Sequence, residues 1–149
     1  MGFQFASIKK YLLEAFVFLF ILLFVYASMS KLVDYETFEN QLGQSPLLSA
    51  FAGWVAPGVI ISELIVALLL IFERTRLIAL FGFYTLMVLF TAYIIIILNF
   101  TDFIPCSCGG VLEQLGWTEH LIFNVGFMGL GVWAVFLVNA RSSPPGPLS

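Results

Sequence analysis

LIALFGFYTLMVLFTAYIIIILNF, running from Leu77 to Phe100, contains no charged residue. Crossing a hydrocarbon core about 30 Å thick takes roughly 20 helical residues, and this block supplies them without interruption. In lipid the backbone finds no water to bond, so the block must satisfy its own N–H and C=O groups as a helix. Three further stretches read the same way. Leu121 to Ala140 is uncharged, Ala15 to Ser30 is uncharged between Glu14 and Lys31, and Pro57 to Phe72 is broken only by Glu63. Counting flanks, the pattern predicts spans of about 8–32, 55–73, 76–99 and 119–140. The expected fold class is therefore all-α: an integral membrane four-transmembrane-helix bundle, forming one domain over 1–141, with short surface helices on its outer side.

Composition agrees with that block structure. Of the 149 residues, 61% are hydrophobic and 10% charged, and the mean hydropathy is +1.05. A water-facing surface needs far more charge, so a soluble domain is excluded. Membrane lipid is the first expected partner; a nucleic-acid partner is not expected. The charges themselves orient the chain. Lys9 and Lys10 precede the first span, Arg74 and Arg76 separate the second from the third, and Arg141 follows the fourth. Four crossings put all of these on one side. The other side holds Lys31 with Asp34, Glu36, Glu39, Asp102, Glu113 and Glu119. Positive-inside asymmetry then predicts an inner (cytoplasmic) membrane protein with both termini cytoplasmic and the 101–118 connection facing the periplasm. The first apolar run is long for a secretory signal and reads as a retained span. The tail SSPPGPLS has no packing logic and reads as disordered or as an expression scar.

Between the first two spans, Tyr35, Phe38, Leu42, Leu47, Leu48 and Phe51 recur at roughly helical spacing. They predict one or two short helices lying on the membrane surface, broken at Ser45-Pro46. Trp54 suits an interfacial aromatic, and Pro57 suits the first turn of the second span. Residues 73–76, ERTR, make a tight cytoplasmic turn. Past the third span, Pro105 blocks helix continuation and Gly109-Gly110 frees the backbone. VLEQL is expected to form one helical turn closed by Gly116, with Thr118 capping the fourth span and Glu119 in its first turn. Gly126, Gly129 and Gly131 are expected to permit close helix packing.

The 101–118 connection carries both cysteines, Cys106 and Cys108, and is followed by the single histidine, His120. A zinc site needs about four ligands, which one histidine and two thiols cannot complete, so no metal is expected. A stapling disulfide stabilises by closing a long loop. A Cys-x-Cys bridge closes almost none, and its small ring is strained and easily reduced. That suits thiol–disulfide exchange, with Cys106 and Cys108 as the catalytic pair; an inert bridge or incidental thiols would fit the spacing as well. His120 and Asn124 lie four apart and share one face at the outer end of the fourth span. His120 would stabilise a thiolate or shuttle a proton, or else simply sit at the headgroup boundary. Asn124 lies deeper and needs a partner.

Glu63 stands about 9 Å past Pro57 along a helix. An ionisable residue at that depth points into the bundle with a partner. Lys31, at the outer end of the first span, has the reach, so a Lys31–Glu63 pair is predicted, as a helix–helix tie or a proton relay. Glu14 and Glu73 are expected to be solvated at the cytoplasmic boundary. Aromatic residues reach 17%; they would line a quinone pocket, although lipid contact accounts for them too.

SKLVDYETFENQLGQSPLL (30–48) followed by AGWVAPGVIISELIVALLLI (52–71) resembles the MauE/DoxX-like membrane proteins. Lys31, Phe38, Pro57 and Glu63 occupy that family's lysine, aromatic, proline and glutamate positions, and PCSCGG (105–110) resembles its cysteine loop. The resemblance covers nearly the whole chain and implies a four-helix membrane bundle. It also implies a periplasmic thioredoxin-like partner, acting in disulfide maturation of an exported enzyme. Similar four-helix quinone-linked thiol oxidases use a Cys-x-x-Cys pair and a second cysteine pair, and this chain has neither. Two functions follow as expectations. One is exchange between the outward Cys-x-Cys pair and the thioredoxin-like partner. The alternative is a non-enzymatic subunit or assembly factor of a larger membrane complex. Transport through the Glu63 region is disfavoured, because only one deep acidic residue is present.

Overall fold

The computed structural model describes residues 2–45, 48–100 and 116–142. Helix α1 spans Gly2–Val33, α2 Tyr35–Gln44, α3 Ala52–Ile71, α4 Arg76–Phe100 and α5 Trp117–Ser142, with a short 3-10 turn at Ser49–Phe51 before α3. No strand occurs among the described residues. Among the described residues, four segments are long and apolar enough to cross a membrane: Ser7–Val33, Ser49–Ile71, Arg76–Asn99 and Thr118–Ala140. The all-α membrane bundle read from the uncharged blocks is thus what the chain forms.

Each long helix packs against two neighbours in the cyclic order α1, α3, α4, α5. The core is built where their inward faces meet: Leu13, Val17, Phe20 and Phe24 of α1 against Val66, Ala67 and Leu70 of α3, Phe83 and Met87 of α4, and Ala134 and Leu137 of α5. Across the bundle's diagonal, the Phe20 and Phe83 rings stack with centroids 4.2 Å apart, and Phe24 approaches Phe83 at 4.8 Å. Such ring pairs add about 0.5–1.5 kcal/mol beyond their area. Large apolar side chains on the outer faces, Phe18, Ile65, Phe81, Ile122 and Phe136 among them, are exposed, as lipid-facing positions must be.

Several local expectations are corrected. The helix of the second span begins at Ala52, so Pro57 lies inside α3 rather than in its first turn. Its missing N–H leaves the Gly53 carbonyl without the usual helical partner. Helix α2 does not present its apolar stripe to the membrane: Phe38 and Leu42 are buried against Ala52, Ala56 and Ile60 of α3, forming a second small core. Protein packing outcompetes the interface because α3 offers small residues, Ala52 and Ala56, as a seat. The Glu39 carboxylate of α2 lies against Gly53, favourably placed at the positive N-terminal end of α3.

Thr118 is not the cap of α5. The helix starts at Trp117, and the Gly116 carbonyl accepts its first bond, from His120 N–H at 3.0 Å. Glu119 does occupy the first turn. Of the three α5 glycines, only Gly131 faces a neighbour, with the Phe83 ring 3.5 Å from where a β-carbon would stand; Gly126 and Gly129 border open space. Glu73 is exposed as expected, but Glu14 is not merely solvated. Its carboxylate takes both arms of the Arg76 guanidinium, at 2.8 and 3.2 Å. The expected VLEQL turn and the 143–149 tail lie outside the described residues.

Candidate functional site

At the end of the bundle away from the Glu14–Arg76 pair, α1 carries Ser28 and Lys31 three residues apart, hence on one face. Lys31 Nζ lies 2.7 Å from Glu63 Oε1, and its side chain is 14% exposed against 1% for Glu63. This is the pairing that the depth of Glu63 predicts. Because α3 starts at Ala52, Glu63 stands about 16 Å along its helix, level with partners close to the Val33 end of α1. The second carboxylate oxygen, Oε2, is 3.0 Å from Ser28 Oγ, which is also 2.7 Å from the Phe24 carbonyl. A hydroxyl has one proton, so Ser28 donates to one of these acceptors at a time.

Lys31 is held from other directions as well. Its ammonium donates to the Ala27 carbonyl at 3.4 Å and stands over the rings of Phe38 and Phe90, 5.8 and 5.6 Å from their centroids. An ammonium facing two π-systems and one carboxylate is stabilised without bulk water. The pair leaves no net charge in this part of the bundle.

Beside the pair is a cavity of about 450 Å³, within the range of roughly 300–1,000 Å³ common for small-molecule sites. Lys31, Glu63, His120 and Asn124 all line it. The structure thus brings together, from α1, α3 and α5, the four supporting residues read from the sequence. Asn124 is 4% exposed, and its Nδ2 has no hydrogen-bond partner among the described residues. Cys106 and Cys108 lie outside the described residues.

Sequence reading missed some of this arrangement. Ser28 is not among the residues expected at the site, although its spacing from Lys31 carries the signal. Phe90 and Tyr93 of α4, which also line the cavity, gave none, because they are two aromatics in an unbroken apolar run. Chemically, the site is an apolar chamber with a neutralised ion pair on one wall and a hydrogen-bond donor on another.

The sequence model of the family described as methylamine utilisation protein MauE matches residues 9–137. The chain belongs to the MauE family. The matched range begins at Lys9 and ends within α5, so the MauE region takes in the second and third candidate spans, most of the first and fourth, the Lys31–Glu63 pair, the Cys-x-Cys segment, His120 and Asn124. The match names MauE and not DoxX, which stays a resemblance. No curated protein matches the chain significantly, and no solved structure does. With four long apolar helices, this MauE-family member is a multi-pass membrane protein.

Proposed function

We propose that this chain is an inner-membrane thiol–disulfide exchange protein that passes electrons between Cys106 and Cys108 and a periplasmic thioredoxin-like partner. The observation that carries the reading is the spacing of the only two cysteines in the chain. At i and i+2 they close a ring too small to constrain the unfolded chain and strained enough to open readily. The basic residues gathered on the opposite side of the four spans favour an outward connection, where disulfides persist.

The exchange conserves electrons in either direction. A thiolate of the pair attacks the partner's disulfide, making a mixed disulfide and releasing one partner thiolate. The second cysteine, losing its proton, then attacks its neighbour's sulfur, leaving a Cys106–Cys108 disulfide and a reduced partner. Run backwards, the same steps oxidise the partner. His120, the chain's only histidine, stands in the first turn of the helix that follows the cysteine segment and suits the proton side of these steps. The family's description, methylamine utilisation, fits disulfide maturation of an exported enzyme serving that process.

Trapping tests the proposal. Cys106→Ser or Cys108→Ser removes the resolving step, so one of them is expected to accumulate a reductant-sensitive covalent complex with a secreted thioredoxin-like protein. Absence of a trapped species in both variants, with full function in cells, would end it. A stoichiometric membrane complex that co-purifies equally with both serine variants would favour the non-catalytic subunit instead.

A further inference from the structure

The 450 Å³ cavity is more than a gap between helices, because a polar group that packing alone does not explain borders it. Asn124 is buried, with Nδ2 unpartnered among the described residues. A buried amide donor left without an acceptor costs about 1–3 kcal/mol. Leucine at this position would avoid that cost, so the asparagine is explained by something it binds.

Three features define the class of that ligand. Lys31 and Glu63 cancel one another, so an anionic or cationic head would bring an uncompensated charge into an apolar chamber. The ligand is neutral and carries a hydrogen-bond acceptor for Nδ2. Aromatic rings of Phe38, Phe90, Tyr93 and Phe123 line the cavity, which favours a flat ring that can lie against their faces. Finally, the chamber reaches Glu63, about 16 Å along α3 from its start, and a hydrophobic ring compound dissolved in the hydrocarbon can reach it without bringing a charged head along.

We propose that this cavity binds a membrane quinone, with Asn124 Nδ2 donating to a ring carbonyl and the aromatic lining holding the ring. Asn124 and the lining aromatics that the proposal uses belong to described helices, and the proposal does not depend on thiol exchange at Cys106 and Cys108, so either reading can fail without the other.

The test uses the full chain, purified and placed in bilayer discs of a single phosphatidylcholine, with decyl-benzoquinone as the probe. Equilibrium binding is expected to saturate near one quinone per chain. Infrared difference spectra with a carbon-13-labelled ring carbonyl are expected to show the stretch moved to lower frequency on binding, as a hydrogen bond requires. Asn124→Leu is expected to weaken binding about tenfold, the loss of one hydrogen bond of about 1.4 kcal/mol. It should at the same time leave the quinone-free protein at least as heat-stable as the parent. A merely structural asparagine would give the opposite stability result and no change in affinity. If that variant does not fold, the carbonyl shift in the unaltered protein decides alone. No saturable binding, an unshifted carbonyl, or a tightly retained phospholipid that quinone does not displace would overturn the proposal.

Discussion

Glu63 is the residue on which the interior chemistry turns. Its carboxylate is almost wholly buried, one oxygen on Lys31 and the other near Ser28. Taking two charges out of water costs several kcal/mol each, offset only while both partners are present. Lys31→Met is therefore expected to destabilise the protein by about 3–5 kcal/mol, because it strands the carboxylate. The double variant Lys31→Met with Glu63→Leu should recover most of that loss, since an apolar pair of similar volume leaves no charge to compensate. Thermal unfolding in detergent reads both. A double variant no more stable than Lys31→Met would mean that Glu63 contributes through contacts other than the pair. The pairing was legible beforehand: an acid inside an apolar block needs a partner, and Lys31 was the one basic residue on that side. The unpartnered amide of Asn124 was not legible, because it depends on what α1, α3 and α4 bring near it.

At the scale of elements, the sequence announces helices well and their faces poorly. Uncharged runs identify α1, α3, α4 and α5, because lipid permits nothing else for them. In blocks where nearly every residue is apolar, however, no stripe marks which side packs inward. The glycines illustrate this. Gly126 and Gly129 looked like packing glycines, yet they border open space, whereas Gly82 of α4 would bring a β-carbon within 3.1 Å of Val66 Cγ2 on α3. Gly82→Leu is accordingly expected to cost about 1–3 kcal/mol through overpacking of the α3–α4 seam. Gly129→Leu should be neutral or slightly stabilising, since it exchanges a poor helix former for a good one on an open face. Unfolding midpoints of the two variants side by side check the assignment, and equal losses would contradict it. Helix α2 teaches a related lesson. Its spacing gave a helix, but the seat made by Ala52 and Ala56 of α3, not the membrane surface, receives Phe38 and Leu42.

For the whole molecule, two ends of the bundle have different characters, and the difference bears on orientation. One end is closed by the bidentate Glu14–Arg76 pair, which ties α1 to α4 across the diagonal already bridged by Phe20 and Phe83. Lys9, Lys10, Arg74 and Arg141 lie toward that end by connectivity. The other end holds Lys31, Glu63, His120 and Asn124, and there the chain leaves α4 and re-enters at α5 through the segment bearing Cys106 and Cys108. Loop lysines and arginines resist translocation, so the Glu14–Arg76 end is expected in the cytoplasm and the cysteine segment outside it. The chain's two cysteines make the test direct. In intact spheroplasts treated with reductant, a membrane-impermeant maleimide should label the unaltered protein. A variant with Cys106→Ser, Cys108→Ser and Ser142→Cys should label only after lysis, because its thiol lies at the cytoplasmic end of α5. The reverse pattern would place the pair among reduced cytoplasmic thiols. An outward disulfide partner could then not reach it, and thiol exchange would fall while the proposed quinone site at Asn124 would stand.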